Sequence, residues 1–246
     1  MKLCTIYSKS HEPLFRKIFL PSLVLESGMD LIVRKIPQLC RTGRLFDKGW
    51  VPTMTLKDEF IVDVLRAASD KEICIFSDAD VRFYTPIKDD IFRHMSGKDM
   101  VFMKDHHDES NCRNAGFFAV KSSGKTRNLF EKLVSQMRKN PDDGSYQASE
   151  QATLNTLLRS KAMSTLKIGM LPTEEYYTHG LHKQGVKDVD NAHSYWWEQK
   201  TNEEKNAIYV PLDLRVHHAN WCNWADSKIE LLDFVKSKHD WKINNL

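Results

Sequence analysis

The sequence predicts an α/β fold in which a sheet is covered by helices on both faces, and three observations predict it. Short β-rich runs alternate with helical patterns along the 246 residues, the order expected of layered sheet and helix. One run, Ile73-Cys74-Ile75-Phe76, is continuously apolar, as a strand buried on both faces must be. Hydrophobic residues make up 41% of the chain, enough at this length for a sizeable core.

The elements follow in order. Leu3-Cys4-Thr5-Ile6-Tyr7 reads as the first strand and Leu14 to Leu25 as a helix interrupted by Pro21. Leu31-Ile32-Val33 is the second strand, leading into the loop Cys40-Arg41-Thr42-Gly43-Arg44. Thr55 and Asp58 stand at capping-box spacing ahead of Phe60, Ile61, Val64, Leu65 and Ala68, which places a helix start near Thr55 with Lys57 in its first turn. The apolar strand 73–76 ends abruptly in Ser77-Asp78-Ala79-Asp80, and two further strands are read at Met100–Met103 and Gly116–Val120. A helix carrying Leu129, Phe130, Leu133, Val134 and Met137 stops before Asn140-Pro141-Asp142-Asp143-Gly144.

Ser149 caps the next helix, with Glu150 and Gln151 in its first turn and Leu154, Leu157 and Leu158 on its inner face. Thr173 to Lys205 is polar, aromatic-rich and aperiodic, and reads as loops. Ile208-Tyr209-Val210 reads as a late strand, and His217-His218-Ala219-Asn220-Trp221 precedes a C-terminal helix with Leu231, Leu232, Phe234 and Val235 inside. No repeat, low-complexity tract or linker divides the chain, so one domain over 1–246 is expected.

Composition removes several function classes. The formal net charge of +3 comes from Lys and Arg spread along the chain without a dense basic block, which speaks against a nucleic-acid partner and suits anionic small ligands. No apolar run is long enough to span a bilayer, and the apolar start is too short for a secretory signal, so a soluble, cytoplasmic protein is expected. The five cysteines form no C-x-x-C pair and are odd in number, as reduced thiols would be.

The chemistry concentrates where the apolar strand ends. Residues two apart in an extended segment face the same way, so Asp78 and Asp80 can present both carboxylates to one side while Ala79 packs inward. Open α/β sheets bind ligands at such strand ends, and hard divalent cations take carboxylate and phosphate oxygens. A turn rich in aspartate is the bland alternative.

The strand with Phe76-Ser77-Asp78-Ala79-Asp80-Val81, then Asn114-Ala115-Gly116-Phe117-Phe118, then Glu150-Gln151, then His218-Ala219-Asn220 resembles the nucleotide-diphospho-sugar transferases of the GT-A fold. The likeness runs in order from Leu3 to Trp221. It implies a Rossmann-like, three-layer α/β/α architecture around a mixed, mostly parallel sheet, and a Mn²⁺- or Mg²⁺-dependent glycosyltransferase. The donor would be a nucleotide sugar, UDP- or GDP-linked, and the acceptor a hydroxyl of a glycan or glycoprotein. Residues 1–105 would serve mainly the donor and 106–246 mainly the acceptor.

Carried onto this chain, the resemblance places Tyr7 and Ser8 at the base and ribose, Lys57 and Ser77 beside the donor, Asp78 at ribose and metal, and Asp80 as principal metal ligand. His218 would complete the metal shell, with His217 as the competing assignment. Gln151 would lie near the reacting sugar, and Glu150 would orient the acceptor or act as general base, with Asp105 the second candidate for that role. Asn114, Ala115 and Gly116 precede an apolar strand, where a glycine lets backbone approach a sugar and the amide can bond a hydroxyl; a plain turn is the competing reading.

His106 and His107 sit in a charged loop that reads equally as solvated surface. Of Tyr176, Tyr177, Tyr195, Trp196, Trp197, Trp221 and Trp224, one or two are expected to touch ligand. Two other functions fit part of the pattern. A metal-dependent nucleotidyltransferase would use the same paired carboxylates, but Tyr7 to Pro13 shows no glycine-rich triphosphate loop. A catalytically silent carbohydrate- or nucleotide-binding relative would keep the fold without turnover.

Overall fold

A computed structural model describes residues 1–105, 112–178 and 197–245. The strands are β1 (Lys2–Tyr7), β2 (Asp30–Lys35), β3 (Ile73–Ser77), β4 (Val81–Phe83), β5 (Met100–Lys104), β6 (Arg113–Lys121), β7 (Ile168–Met170), β8 (Tyr176–Thr178) and β9 (Val216–His218). Six of them form the main sheet in the order β2-β1-β3-β6-β5-β7. β1 pairs in parallel with β2 and β3, and β5 with β7, while β6 alone runs against its neighbours β3 and β5. The sheet is therefore mixed and mostly parallel.

The helices are α1 (Glu12–Leu14), a π turn over Phe15–Phe19 and α2 (Leu20–Ser22), which follow without a break, then α3 (Trp50–Ala67), α4 (Lys88–His94), α5 (Gly124–Met137), α6 (Glu150–Arg159), α7 (Asn202–Asn206) and α8 (Ala225–Asn244). Alternation along β3 divides its side chains between two cores, since successive residues of a strand point to opposite faces. Cys74 and Phe76 join Phe60, Phe118 and Phe130 under α3, α5 and α6. Ile73 and Ile75 join Phe15, Phe19, Phe117 and Tyr176 on the other face. All five residues of β3 are buried, which is why its sequence is an unbroken apolar run. A third cluster, including Leu231, Leu232 and Val235, lies beneath α8.

Four sequence expectations are corrected. α3 begins at Trp50, five residues before Thr55, whose Oγ1 donates to the carbonyl of Val51 inside the helix. The true cap comes from Asp142, which accepts from the backbone N–H groups of Gly49 and Val51 at 2.6 and 3.2 Å. Lys57 therefore stands in the second turn of the helix. Ile208-Tyr209-Val210 is not a strand: its carbonyls accept from Lys238 Nζ, Tyr177 Oη and Lys242 Nζ, so side chains satisfy the backbone groups that a ladder would have satisfied. The segment from Thr173 to Lys205 is not all loop, for it contains β8 and α7. Pro21 ends rather than interrupts its helix, and the π turn precedes it, where the missing donor and the ring of Pro21 disturb the ladder.

A second sheet of three strands, β4-β9-β8, positions the site. β4 is antiparallel to β9 with Val81 opposite His218, and β8 is parallel to β9. The strand that leaves the Asp-Ala-Asp turn is thereby laced to the strand that carries the histidine pair.

Candidate active site

The site is built on the turn that connects β3 to β4. The Asp78 N–H donates to the Gly116 carbonyl at 2.7 Å and the Ala219 N–H to the Asp80 carbonyl at 3.0 Å, so backbone bonds fix both ends of the turn. Ala79 is buried, and the two carboxylates converge as expected, across a turn rather than along an extended strand. His218 arrives from β9. Strand alternation sends His217 to the other face, where it packs 5.1 Å from the Tyr177 ring. His218, and not His217, joins the aspartates.

Ligand atoms of Asp78, Asp80 and His218 lie within 4.8 Å of one another. His218 Nε2 is 3.3 Å from Asp80 Oδ1 and 3.9 Å from Asp78 Oδ2. The other oxygen of each carboxylate is held by a buried lysine: Lys57 Nζ is 2.7 Å from Asp78 Oδ1, and Lys228 Nζ is 2.6 Å from Asp80 Oδ2. The lysines thus leave one oxygen of each aspartate turned toward the imidazole. Burial alone would raise the Asp80 carboxyl, but the Lys228 ammonium beside it outweighs that and holds the group well below the usual carboxylate range. Burial alone would likewise lower Lys57 and Lys228; the aspartates beside them keep both raised as ammonium groups.

A chain of amides orients the imidazole. His218 Nδ1–H donates to Asn114 Oδ1 at 3.1 Å, and that oxygen also accepts the Gly116 N–H at 2.8 Å. Asn114 Nδ2 donates in turn to Asp105 Oδ1 at 2.8 Å, which fixes which end of the amide faces the histidine. The Nε2 lone pair is left for the triad, the arrangement by which outer partners set a metal-binding histidine. Asp105 also accepts from Gln151 Nε2 at 2.8 Å and from Asn220 Nδ2. Gly116 has no room for a side chain: a Cβ there would collide with His218 Cε1 and stand 2.8 Å from Asp78 Oδ2. The residue serves close approach, as its sequence suggested, but what approaches within this structure is the histidine.

These groups floor a cleft of about 1060 Å³, its open mouth included. Tyr7 and Ser8 border it at the end of β1, Lys57 borders it from α3, and Asn114, Ala115 and Gly116 border it from β6. Glu150 and Gln151 enter from the first turn of α6, capped by Ser149 as expected. Two candidates are not on its wall. Ser77 is buried in β3 with its hydroxyl on the Asp78 carbonyl, and Asp105 is fully buried behind the amides it holds. Trp221 reaches the cleft; Tyr176, Tyr177 and Trp197 are core residues, and Trp224 is exposed beneath the Arg44 guanidinium. His106, His107, Tyr195 and Trp196 lie outside the described residues.

Residues 48–232 match the profile of a family described as nucleotide-diphospho-sugar transferase. The chain belongs to this family. Comparison with curated protein sequences finds no match. Among solved structures, this transferase is similar to the galactosyltransferase LgtC, solved with donor and acceptor sugar analogues, at 12% identity and a TM-score of 0.53 over 95% of each chain. It is similar also to a glycosyltransferase involved in glycosylating the major capsid of PBCV-1, at 9% identity and a TM-score of 0.58 over 94% of this chain and 97% of the other. Mouse xyloside xylosyltransferase 1 is similar at 10% identity and a TM-score of 0.52, over 89% and 98%. The likenesses show a shared fold, that of the GT-A glycosyltransferases.

Several residues of the transferase's cleft escaped the sequence reading. Lys228 sits in the first turn of α8 among ordinary helical lysines, and nothing local marks it as buried. His11, half-buried in the cleft wall, is pushed down to about 4, first by removal from water and then by the Lys228 charge, so its imidazole is neutral. Asp58, expected to cap the helix, is not on the cleft wall; it is fully buried, and burial followed by the Glu150 charge holds its carboxyl well above the usual range. Glu150 is raised by burial against the pull of Lys57, whose Nζ stands 3.1 Å away.

Proposed function

We propose that this transferase moves a sugar from a UDP- or GDP-linked donor to a hydroxyl of a glycan or glycoprotein acceptor, with Mn²⁺, or Mg²⁺, held by Asp78, Asp80 and His218. One observation carries the reading: each aspartate gives one oxygen to a lysine and turns the other toward His218 Nε2. Two carboxylate oxygens and one imidazole nitrogen suit a borderline-hard divalent ion, and the imidazole favours Mn²⁺. Bound there, the ion would neutralise the diphosphate of the leaving nucleotide.

The protein's own groups fit that task. Two buried ammonium groups face three carboxylates, those of Asp78, Asp80 and Glu150, so the charge is short by one until a divalent cation arrives and then suits an anionic donor. Lys57 and Lys228 would stabilise phosphate oxygens by charge-assisted hydrogen bonds. Tyr7 and Ser8 would hold the nucleoside, Asn114 to Gly116 with Gln151 the donor sugar, and Glu150 the acceptor hydroxyl. Asp105, as a positioning residue, would keep the three amides in register. The binding site draws on both 1–105 and 106–246, within one domain. Among the described residues no helix is long and apolar enough to cross a membrane, and Cys4, Cys40, Cys74 and Cys222 are buried thiols outside any disulfide, which supports a cytoplasmic setting.

The test is thermal unfolding with a panel of nucleotide sugars, with and without Mn²⁺, followed by donor hydrolysis and transfer. A donor that raises the melting temperature only with the ion, and is then hydrolysed, supports the reading; a flat panel rejects it.

A further inference from the structure

The geometry points to a ring-stacking subsite for a pyranose acceptor, formed by Phe46, Trp50, Tyr146 and Trp221 in the wall of the cleft. It rests on the donor reading above for its orientation but makes a binding claim of its own. Trp50, Thr53, Met54 and Lys57 present one face of α3 to the cleft. Lys57 touches Asp78, and Trp50 stands seven residues earlier, about 10 Å away along the helix axis. Phe46 meets Trp50 edge-on at 4.9 Å and Trp221 at 6.4 Å, and Tyr146 meets Trp221 at 6.0 Å. The four rings come from three separate segments, around 46–50, at 146 and at 221, so no single helical or strand period places them together.

Backbone conformation singles out the same wall. Phe46 and Trp221 hold φ of 62° and 60°, in the left-handed region that bulky side chains rarely adopt; among the described residues only Lys71 joins them outside glycine. The loop before α3 that carries Phe46 is pinned in that shape. Asp142 holds Gly49 and Val51, Thr42 Oγ1 donates to Asp47 at 2.6 Å, and the Arg44 guanidinium lies 4.6 Å over the Trp224 ring. The strain is thus spent on presenting two aromatic rings to an open cleft.

A pyranose has an apolar C–H face and a rim of hydroxyls, which matches aromatic rings in a cleft that polar side chains also line. A nucleobase is the other planar group that such rings can stack, and the experiment separates the two.

The experiment titrates the full chain with methyl pyranosides and short oligosaccharides while tryptophan fluorescence is read, first without nucleotide and then with UDP or GDP and Mn²⁺. Phe46→Gly deletes one ring at a φ that glycine adopts freely, so the variant keeps the loop's shape, and Trp50→Leu deletes a second. The expected result is a fluorescence shift with at least one glycoside in the native protein, and a dissociation constant about tenfold weaker in both variants, the size of a lost ring contact. No shift with any glycoside overturns the subsite. So does a glycoside affinity unaltered by both variants, or a nucleotide affinity that falls by the same factor, which would mark a base-stacking wall. Glycoside binding that the variants weaken, in a protein that binds no nucleotide with Mn²⁺, would leave the subsite standing and remove the donor reading instead.

Discussion

Lys228 and Asp80 form a buried ion pair with Nζ 2.6 Å from Oδ2, although 148 positions separate them in the chain. Removing one member of such a pair strands a charge away from water, which costs more than the pair itself contributes. Asp80→Ala is therefore expected to abolish Mn²⁺-dependent nucleotide binding and also to lower stability by about 3 kcal/mol. Asp80→Asn combined with Lys228→Met should recover most of that stability without recovering binding. Urea unfolding beside calorimetry checks both halves; a single variant as stable as the native chain would refute the pairing argument.

Gly116→Ala tests the closeness of Asp78, His218 and β6. The new Cβ must displace the imidazole or the carboxylate, since it would stand 2.8 Å from both His218 Nδ1 and Asp78 Oδ2. Mn²⁺ affinity is expected to fall by about a hundredfold, the scale on which disturbed ligand orientation acts. Native affinity in this variant, measured by calorimetry, would show that the three residues do not share one ion.

Asn114→Leu removes the acceptor of His218 Nδ1–H while keeping similar volume. The imidazole is then free to turn, and Mn²⁺ binding should weaken about tenfold to a hundredfold. Asn114→Asp keeps an acceptor for both His218 and Gly116 and should retain tighter binding than the leucine variant. Equal losses in the two would argue that the Asn114 oxygen plays no orienting part.

The pH dependence of stability carries a sign fixed by Asp58. Its folded-state carboxyl is raised well above the unfolded value by burial and then by the Glu150 charge. Between the two values the native state holds a proton that the unfolded chain has lost, so this group's contribution is complete below the unfolded range and declines as pH rises toward the folded one. The slope approaches about 1.4 kcal/mol per pH unit within that window. Asp58→Asn abolishes it, and urea unfolding of the variant from pH 5 to pH 8 should show a flatter profile than the native chain. Parallel profiles would reject the assignment.

Much of the main sheet was legible because its signals are local. The run Ile73–Phe76 announces a strand buried on both faces, and the Ser149 cap lies beside the helix it starts. The start of α3 was missed because Asp142 caps it from 93 residues away. β9 was misplaced to Ile208–Val210, whose apolar residues are buried in the third cluster as strand residues would be, but whose carbonyls are satisfied by side chains of α8 and β8. The aspartates and His218 were legible as an ordered motif set. Lys228 and the rings of Phe46, Trp50 and Tyr146 were not, since their meaning arises only when separate segments meet at one cleft.

The lacing of Val81 to His218 makes the centre late in the life of the polypeptide. All six strands of the main sheet precede residue 171, so a growing chain can assemble that sheet while Asp78 and Asp80 still face one another without His218 or Lys228. The contacts that His218 and Lys228 make with Asp80 are then completed together, once β9 and the first turn of α8 have been made. A protease that trims the chain ahead of β9 would leave a body with its sheet intact and its grip gone.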